Sequence, residues 1–137
     1  MSLQITISRI YEFSSAHRLH TSELSGKENI VIYDKCNNLN GHGHDYRLEV
    51  SLKGIPDKKT GMILSLNNFD RGVGNVLNKL DYKHLDKEVD FFKNNLSSGE
   101  IIIKYLWQEL DKQFSKNMLY HLKLWETNNN YFECDRS

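Results

Sequence analysis

Hydrophobic and polar residues alternate along two long stretches of the chain. In Leu3–Phe13 the first apolar residues fall on odd positions, and from His44 onward they fall on even positions as far as Leu52. A period of two is typical of half-buried strands, in which successive side chains point to opposite faces. We therefore predict a first strand that leads toward His17 and a second strand that starts at His44.

Shorter extended segments follow later in the chain. The turn PDKKTG, residues 56–61, precedes MILSL, which we interpret as a short third extended segment. Alternation returns in Met118–Thr127, and the three asparagines at 128–130 suit a tight turn because asparagine tolerates positive φ. Tyr131–Cys134 is then predicted to pair back as the last strand.

Two segments show the three-and-four spacing of apolar residues that is typical of helices. The first is predicted to begin at Asn67 or Asn68, and the second carries Ser97 and Glu100 as a capping box. Residues 21–35 are predicted to form a long loop. This order of elements predicts an α+β fold, an antiparallel sheet with both helices packed on one face.

Length and composition exclude several classes of protein. A chain of 137 residues fits a single domain, residues 1–137, and 18 basic residues balance 18 acidic ones. The chain therefore lacks the excess of basic residues that is typical of nucleic-acid-binding proteins, and a small-molecule or protein partner is favoured. No segment approaches the roughly 20 apolar residues of a membrane helix. We expect a cytoplasmic protein with no membrane partner, whose cysteines, Cys36 and Cys134, stay reduced.

The stretch CNNLNGHGHDY suggests a metal site. His42 and His44 are two residues apart, so in a strand both imidazoles point to the same side. A catalytic zinc site usually takes three protein ligands and leaves one position open. His17, at the end of the first predicted strand, is the favoured third ligand. The other candidates are His20, His84 and His121.

Cys36 allows two interpretations. As a fourth ligand it would close a structural zinc site. Standing off the metal, its thiolate would be favoured by the cation and could move protons on a bound substrate. The spacing of Cys36 from the histidines does not separate these alternatives.

Six motifs then follow one another in order over nearly the whole sequence: FSSAHRL, KCNNLNGHGHDY, TGM, LDYKHLD, SSGEIIIKYLW and LWETNNN. Together they resemble the 6-pyruvoyltetrahydropterin synthase family. The resemblance implies the tunnelling fold, an antiparallel four-stranded sheet with two helices on one face. It also implies trimers whose sheets assemble into a barrel and stack in pairs as homohexamers, with active sites between subunits.

The resemblance also implies a reaction. The substrate would be 7,8-dihydroneopterin triphosphate, from which a zinc-dependent lyase eliminates triphosphate while protons rearrange along the side chain. The family's zinc ligands fall on His17, His42 and His44, and its general base falls on Cys36. Glu126 falls on the glutamate that anchors the pterin ring, where a carboxylate can accept two parallel N–H bonds.

Two motifs depart from the family's pattern. Ser98, Gly99 and Glu100 occupy a threonine-threonine-glutamate stretch at the pterin pocket, where Gly99 loses a side-chain contact and Glu100 is equally explained by the capping box.

In LDYKHLD, Asp81 is kept, but Tyr82 stands where the family has the histidine of a Cys, Asp and His relay. A histidine, His84, appears two positions later. A tyrosine with a pKa of about 10 is mainly a hydrogen-bond donor at neutral pH. Either the pKa of Tyr82 is strongly lowered near zinc, or His84 replaces the relay histidine through a loop shift, or one proton step is slow.

Three alternatives stay open. The 6-carboxytetrahydropterin synthases resemble this protein but cleave the substrate's side chain to a carboxylate, and their cysteine usually lies closer to the HxH pair. A pterin-binding homologue impaired by Tyr82 would keep zinc and pocket without turnover. A purely structural zinc domain would need Cys36 as a ligand.

Overall fold

The computed structural model describes residues 3–137, which form a five-stranded sheet in the order β3-β1-β2-β4-β5. The strands are β1 (Ile5–His17), β2 (His42–Gly54), β3 (Lys83–His84), β4 (Leu119–Trp125) and β5 (Tyr131–Asp135). The helices are α1 (Gly26–Tyr33), α2 (Leu66–Leu77), α3 (Leu85–Glu88) and α4 (Gly99–Asp111), with 3₁₀ turns at Asp34–Asn37 and Asp90–Lys93. Within residues 3–137, every helix is too short or too polar to cross a bilayer.

The four predicted antiparallel strands are present, but the sheet has a fifth strand that the sequence pattern did not indicate. β3 runs parallel to β1, with Ser15 opposite Lys83 and Ala16 opposite His84. A strand of two residues is too short to show alternation, so its pattern carries no signal. The four-stranded prediction is therefore corrected to a mostly antiparallel sheet of five strands.

Three local predictions were wrong. MILSL is not a strand: Leu66 already begins α2, whose N-cap is Ser65 rather than Asn67 or Asn68. The stretch 21–35 is not all loop, because α1 lies within it behind a capping box of Ser25 and Glu28. The second predicted helix, α4, is capped by Ser98, one residue later than expected, so Glu100 does not complete a capping box with Ser97.

One face of the sheet carries the core. The even positions of β2 from Tyr46 to Leu52 are fully buried and belong to one apolar cluster with residues of α2 and α4. Burial of this kind stabilises a fold by about 25 cal/mol for each Å² of apolar surface removed from water. Directly opposed residues of β1 and β2 point to the same face, and the register places Phe13 opposite Tyr46 and His17 opposite His42. The end of the core-facing surface is therefore occupied by histidines.

Candidate functional site

Three imidazoles converge where β1 ends and β2 begins. His17 Nε2 lies 3.2 Å from His42 Nε2, which lies 2.9 Å from His44 Nε2. Two nitrogens bound to one tetrahedral zinc ion at about 2.0–2.1 Å would be about 3.3 Å apart. The trio therefore fits a metal ion in donor type and spacing, and sequence analysis chose the same three residues.

The strand register produces this convergence. His42 pairs with His17 across the two strands, and His44 follows on the same face of β2. His17 is fully buried, and its Nδ1 donates a hydrogen bond of 2.7 Å to the carbonyl oxygen of Ser97. A carbonyl only accepts, so the proton sits on Nδ1 and the Nε2 lone pair of His17 is free for a metal.

A second layer of hydrogen bonds holds this arrangement, and sequence analysis missed it. Ser97 Oγ donates to Asp86 Oδ1 at 2.7 Å, while Asp86 Oδ2 accepts from the backbone N–H of Arg18 at 2.6 Å. Ser97 was interpreted as a helix cap, and Asp86 gave no signal beyond its place in LDYKHLD. Through these hydrogen bonds, Ser97 and Asp86 connect the start of α4 to the end of β1.

Burial lowers the pKa of two members of the trio. The pKa of His44 falls from 6.5 to about 4, first because of desolvation and then because of the neighbouring His17 and His42. Desolvation, followed by the proximity of His17, also lowers the pKa of His42. Both imidazoles are therefore neutral at physiological pH, which is the form that binds metal.

Cys36 lies beside the trio. Its Sγ and ligand nitrogens of His17 and His42 are all within 4.8 Å of one another. The 3₁₀ turn that carries Cys36 is tied to the end of β1, because Leu19 N donates to Cys36 O at 2.7 Å and Asn37 Nδ2 donates to Leu19 O at 2.7 Å. Burial, followed by the charges of Glu126 and Asp34, raises the pKa of Cys36. The thiol is thus close enough to ligate a metal or to act next to one.

Glu126 approaches the trio from the end of β4. One of its carboxylate oxygens is 3.9 Å from His44 Nε2, and ligand atoms of Glu126, His44 and His17 lie within 4.8 Å of one another. Desolvation is the main cause of the raised pKa of Glu126; the charge of nearby Glu100 adds to it, and His17 opposes it. A largely buried carboxylate at this point can ligate a metal or accept N–H groups of a ligand.

Asp81 and Tyr82 lie elsewhere. Asp81 Oδ1 accepts from the backbone N–H of Ser14 at 2.9 Å, and Tyr82 N donates to Ser14 O at 2.6 Å. Tyr82 has a φ of 60° and is 86% exposed. With Asp45 and Arg47 it lines a cleft on the sheet face opposite the core. Among the described residues, no hydrogen bond joins either one to Cys36.

His84 lies closer to the loop that precedes His42. Gly41, with a φ of +77°, passes so near that a Cβ there would be 2.7 Å from His84 Nε2 and 3.0 Å from His17 O. Only glycine allows this approach. Both ring nitrogens of His84 are buried without a hydrogen-bond partner among residues 3–137.

The start of α4 contains the remaining predicted residues. Ser98 Oγ accepts from Ile101 N, so this hydroxyl is engaged in capping. Gly99 is buried, and a Cβ there would lie 2.0 Å from the ring of Phe132. Glycine at this position is therefore required by the packing of β5 against α4. Glu100 is exposed but close enough to Glu126 to influence its pKa.

The fold and site together define a class: an α+β protein whose sheet carries a candidate metal centre flanked by a thiol and a carboxylate. The family model described as 6-pyruvoyl tetrahydropterin synthase matches residues 6–137. The chain belongs to this family, and the resemblance stated from the motifs is confirmed.

Individual relatives agree. The chain is 40% identical over 126 residues to the 6-pyruvoyl tetrahydrobiopterin synthase of Drosophila melanogaster, covering 90% of this chain and 75% of the relative. It is 38% identical over 128 residues to the human protein of that name, covering 93% and 88%. The structure of Caenorhabditis elegans 6-pyruvoyl tetrahydropterin synthase is similar with a TM-score of 0.93 and 38% identity, covering 99% of this chain and 98% of that one.

Proposed function

We propose that this protein is a 6-pyruvoyltetrahydropterin synthase, a lyase that converts 7,8-dihydroneopterin triphosphate to 6-pyruvoyltetrahydropterin with elimination of triphosphate. The observation that carries the proposal is the convergence of His17, His42 and His44 beside Cys36, in a protein that belongs to this family. The free state of both cysteines supports a cytoplasmic location.

The histidine trio would hold zinc. When bound, zinc would act as a Lewis acid that stabilises negative charge on the side-chain oxygens of the substrate. His17 is oriented for this role by its hydrogen bond to Ser97, and His44 and His42 are kept neutral by burial. Neutral imidazoles bind a metal cation without first losing a proton.

Cys36 would take a proton from the side chain of the substrate, and Glu126 would orient the pterin ring. A thiol accepts a proton only as thiolate, and the raised pKa of Cys36 makes the metal-free protein poorly prepared for this step. The carboxylate of Glu126 would accept the ring's paired N–H groups. Ser98, Gly99 and Glu100 would border the ring through the backbone at the start of α4.

We also propose that the active protein is a homohexamer, a dimer of trimers whose sheets form a barrel. Asp81 and Tyr82 support an assembled site, because no hydrogen bond joins them to Cys36 among the described residues of one protomer and Tyr82 is exposed. A second copy that brings its Asp81 and Tyr82 to Cys36 would complete the proposed relay.

A second candidate function is a pterin-binding homologue with impaired turnover. Tyr82 favours it, since a phenol exchanges protons poorly near neutral pH. His84 argues against the impairment if it replaces the relay histidine, because its imidazole makes no hydrogen bond to the described residues.

Zinc-loaded and metal-stripped protein should be incubated with 7,8-dihydroneopterin triphosphate. We expect triphosphate release and a pterin with the mass of the diketo product from the zinc-loaded protein alone. Binding without triphosphate release would establish the impaired homologue instead. A carboxylated pterin would identify the 6-carboxytetrahydropterin synthase reaction.

A further inference from the structure

Asp86 is the second acidic residue of the motif LDYKHLD, and the proposed reaction gives it no role. Both of its carboxylate oxygens accept short hydrogen bonds, Oδ1 from Ser97 Oγ at 2.7 Å and Oδ2 from the backbone N–H of Arg18 at 2.6 Å. His84 Nδ1 is 3.9 Å from Oδ2, which is too long for a hydrogen bond. The carboxylate of Asp86 therefore joins two segments that are far apart in the sequence.

The two donors to Asp86 lie on either side of the candidate metal ligand His17. Arg18 follows His17 directly in the chain, and the carbonyl oxygen of Ser97 accepts the hydrogen bond from His17 Nδ1 at 2.7 Å. These contacts close a cycle that starts at the imidazole of His17, passes through Ser97, Asp86 and Arg18, and returns to His17 along the chain. A closed cycle fixes the direction of the imidazole as well as its tautomer, because the imidazole cannot turn without breaking a hydrogen bond.

The members of this cycle that lie outside β1 are themselves held in place. Ser97 is fully buried and precedes Ser98, the N-cap of α4, so its carbonyl oxygen lies outside the helix's own hydrogen bonds. Asp86 is held by its neighbours in the chain, because Leu85 is fully buried in the core and His84 belongs to β3, which pairs with β1. The two-residue strand β3 thus brings the carboxylate to the end of β1.

The backbone that Asp86 holds also supports the turn that carries the thiol. Leu19 N donates to Cys36 O at 2.7 Å, and Arg18 Nε donates to Asn37 O at 3.1 Å. Residues 18 and 19 therefore bind two consecutive carbonyl groups of the 3₁₀ turn. The place of Cys36 next to the imidazoles depends on the segment whose N–H Asp86 accepts.

Resting on the function proposed above, we propose that Asp86 is a positioning residue whose carboxylate holds the metal ligand His17 and the turn of Cys36 in one arrangement. Zinc binding gains from this because His17 Nε2 already has its direction before the ion arrives. Partners that orient a ligand in this way change metal affinity by about 10- to 100-fold. The thiol gains because the same segment sets its place beside the metal. Asp86 itself contacts neither the metal nor the substrate in this role.

Four variants test the role of Asp86. Asp86→Ala removes both acceptors. Asp86→Asn removes the charge but keeps the contacts, because its amide oxygen can accept from Arg18 N while its amide nitrogen donates to Ser97 Oγ. Ser97→Ala removes one of the two contacts. Asp57→Ala is the matched control, since the Asp57 carboxylate also accepts two hydrogen bonds, from backbone N–H groups, and lies beyond the end of β2 that is opposite to the histidines.

Dissociation constants for zinc are measured by competition with a chelator, and melting temperatures of the metal-free proteins show whether each variant is folded. We expect Asp86→Ala to bind zinc about 10- to 100-fold more weakly than the wild type, and Ser97→Ala about three- to tenfold more weakly. Asp86→Asn and Asp57→Ala should stay within about threefold of the wild type. The rescue by Asp86→Asn would show that the hydrogen bonds, and not the charge, are required.

The thiol is followed separately, in metal-free protein with a Cys134→Ala background. We expect Asp86→Ala to make alkylation of Cys36 at least about threefold faster, because release of the turn exposes the half-buried thiol. Asp86→Asn and Asp57→Ala should leave the alkylation rate unchanged.

The outcomes separate this inference from the proposed function. If Asp86→Ala binds zinc as tightly as the wild type, or if Asp86→Asn binds it as weakly as Asp86→Ala, the inference is wrong while the function stands. Should Asp86→Ala fail to fold, wild-type affinity in Ser97→Ala would overturn the inference. Unchanged alkylation of Cys36 in Asp86→Ala would overturn the part that concerns the thiol. A wild type that binds no zinc would overturn the proposed function and this inference together.

Discussion

The imidazole end of β1 and β2 differs sharply from the segment 81–84 that runs along the edge of β1. In the first region His17 is fully buried, His42 and His44 are partly buried, and a hydrogen bond to Ser97 fixes the tautomer of His17. The second is bound to β1 by the backbone of Ser14 and leaves Tyr82 exposed in a left-handed conformation. Both regions flank the same strand end, yet only the first brings three candidate ligand atoms together within a single protomer.

The difference shows what each region needs. Two paired strands suffice to aim three imidazoles at one point, since the register alone decides which side chains share a face. The Asp81–Tyr82 pair is held against β1 by the backbone of Ser14, and among the described residues no hydrogen bond joins it to Cys36. The departure from the family's motif, Tyr82, lies in this second region.

The largest expected effect concerns Cys36. Cys36→Ala should lower turnover by about 10²- to 10⁴-fold, the usual contribution of a general base. In a Cys134→Ala background, zinc loading should accelerate alkylation of Cys36, because a nearby cation lowers the pKa of a thiol that burial has raised. Protection by zinc would instead make Cys36 a ligand. Cys134→Ala alone serves as the activity control.

A smaller effect is expected at Tyr82. Tyr82→His restores an imidazole to the relay position and should raise turnover about tenfold while shifting the product mixture toward the diketo pterin. Product analysis under identical substrate compares it with the wild type and with Tyr82→Phe. Equal rates and equal products in Tyr82→His and the wild type would show that this position carries no proton.

The partly buried imidazole of His44 should make the stability of the metal-free protein depend on pH. The folded pKa of His44 is about 4, against 6.5 ordinarily, so protons bind the unfolded state first as the pH falls. The contribution is constant above about pH 6.5 and is lost progressively down to about pH 4. Melting temperatures in chelator should fall across this window.

His44→Gln should flatten that fall, whereas His20→Gln, a change at an exposed histidine, should preserve it. Identical profiles for His44→Gln and the wild type would contradict the neutral state of the partly buried His44.

The smallest effect separates two roles of Asp81. Its carboxylate accepts the Ser14 N–H, so Asp81→Ala should destabilise the fold by about 1 kcal/mol, while Asp81→Asn keeps an acceptor and should stay near wild type. Urea denaturation measures both. If Asp81→Asn keeps its stability and loses turnover, the aspartate acts in proton transfer; equal losses of stability in both variants would contradict the proposed hydrogen-bonding role.

Whether an element could be predicted depended on how many residues show its hydrophobic pattern. β1, β2 and the hairpin of β4 and β5 were predictable because alternation over many residues leaves one face to bury, and His17, His42 and His44 followed from it. β3 and α3 were not, because two to four residues cannot show a period. α1 was missed although Ser25 and Glu28 form a capping box that the sequence displays.

Within the site, contacts between distant segments were hidden from the sequence. The hydrogen bond of His17 to Ser97 and the approach of Phe132 to Gly99 join residues that only the fold brings together. The contact of Asp81 with the backbone of Ser14 was hidden in the same way, because 67 positions separate the two residues in the sequence.

Metal analysis of the purified protein tests the central claim most directly. We predict about one zinc ion per protomer in the wild type, in Cys36→Ala and in His121→Gln, and loss of stoichiometric zinc in His42→Ala. This result would mean that three imidazoles hold the metal and the thiol does not. Wild-type protein without stoichiometric metal, or loss of zinc in Cys36→Ala, would contradict the account.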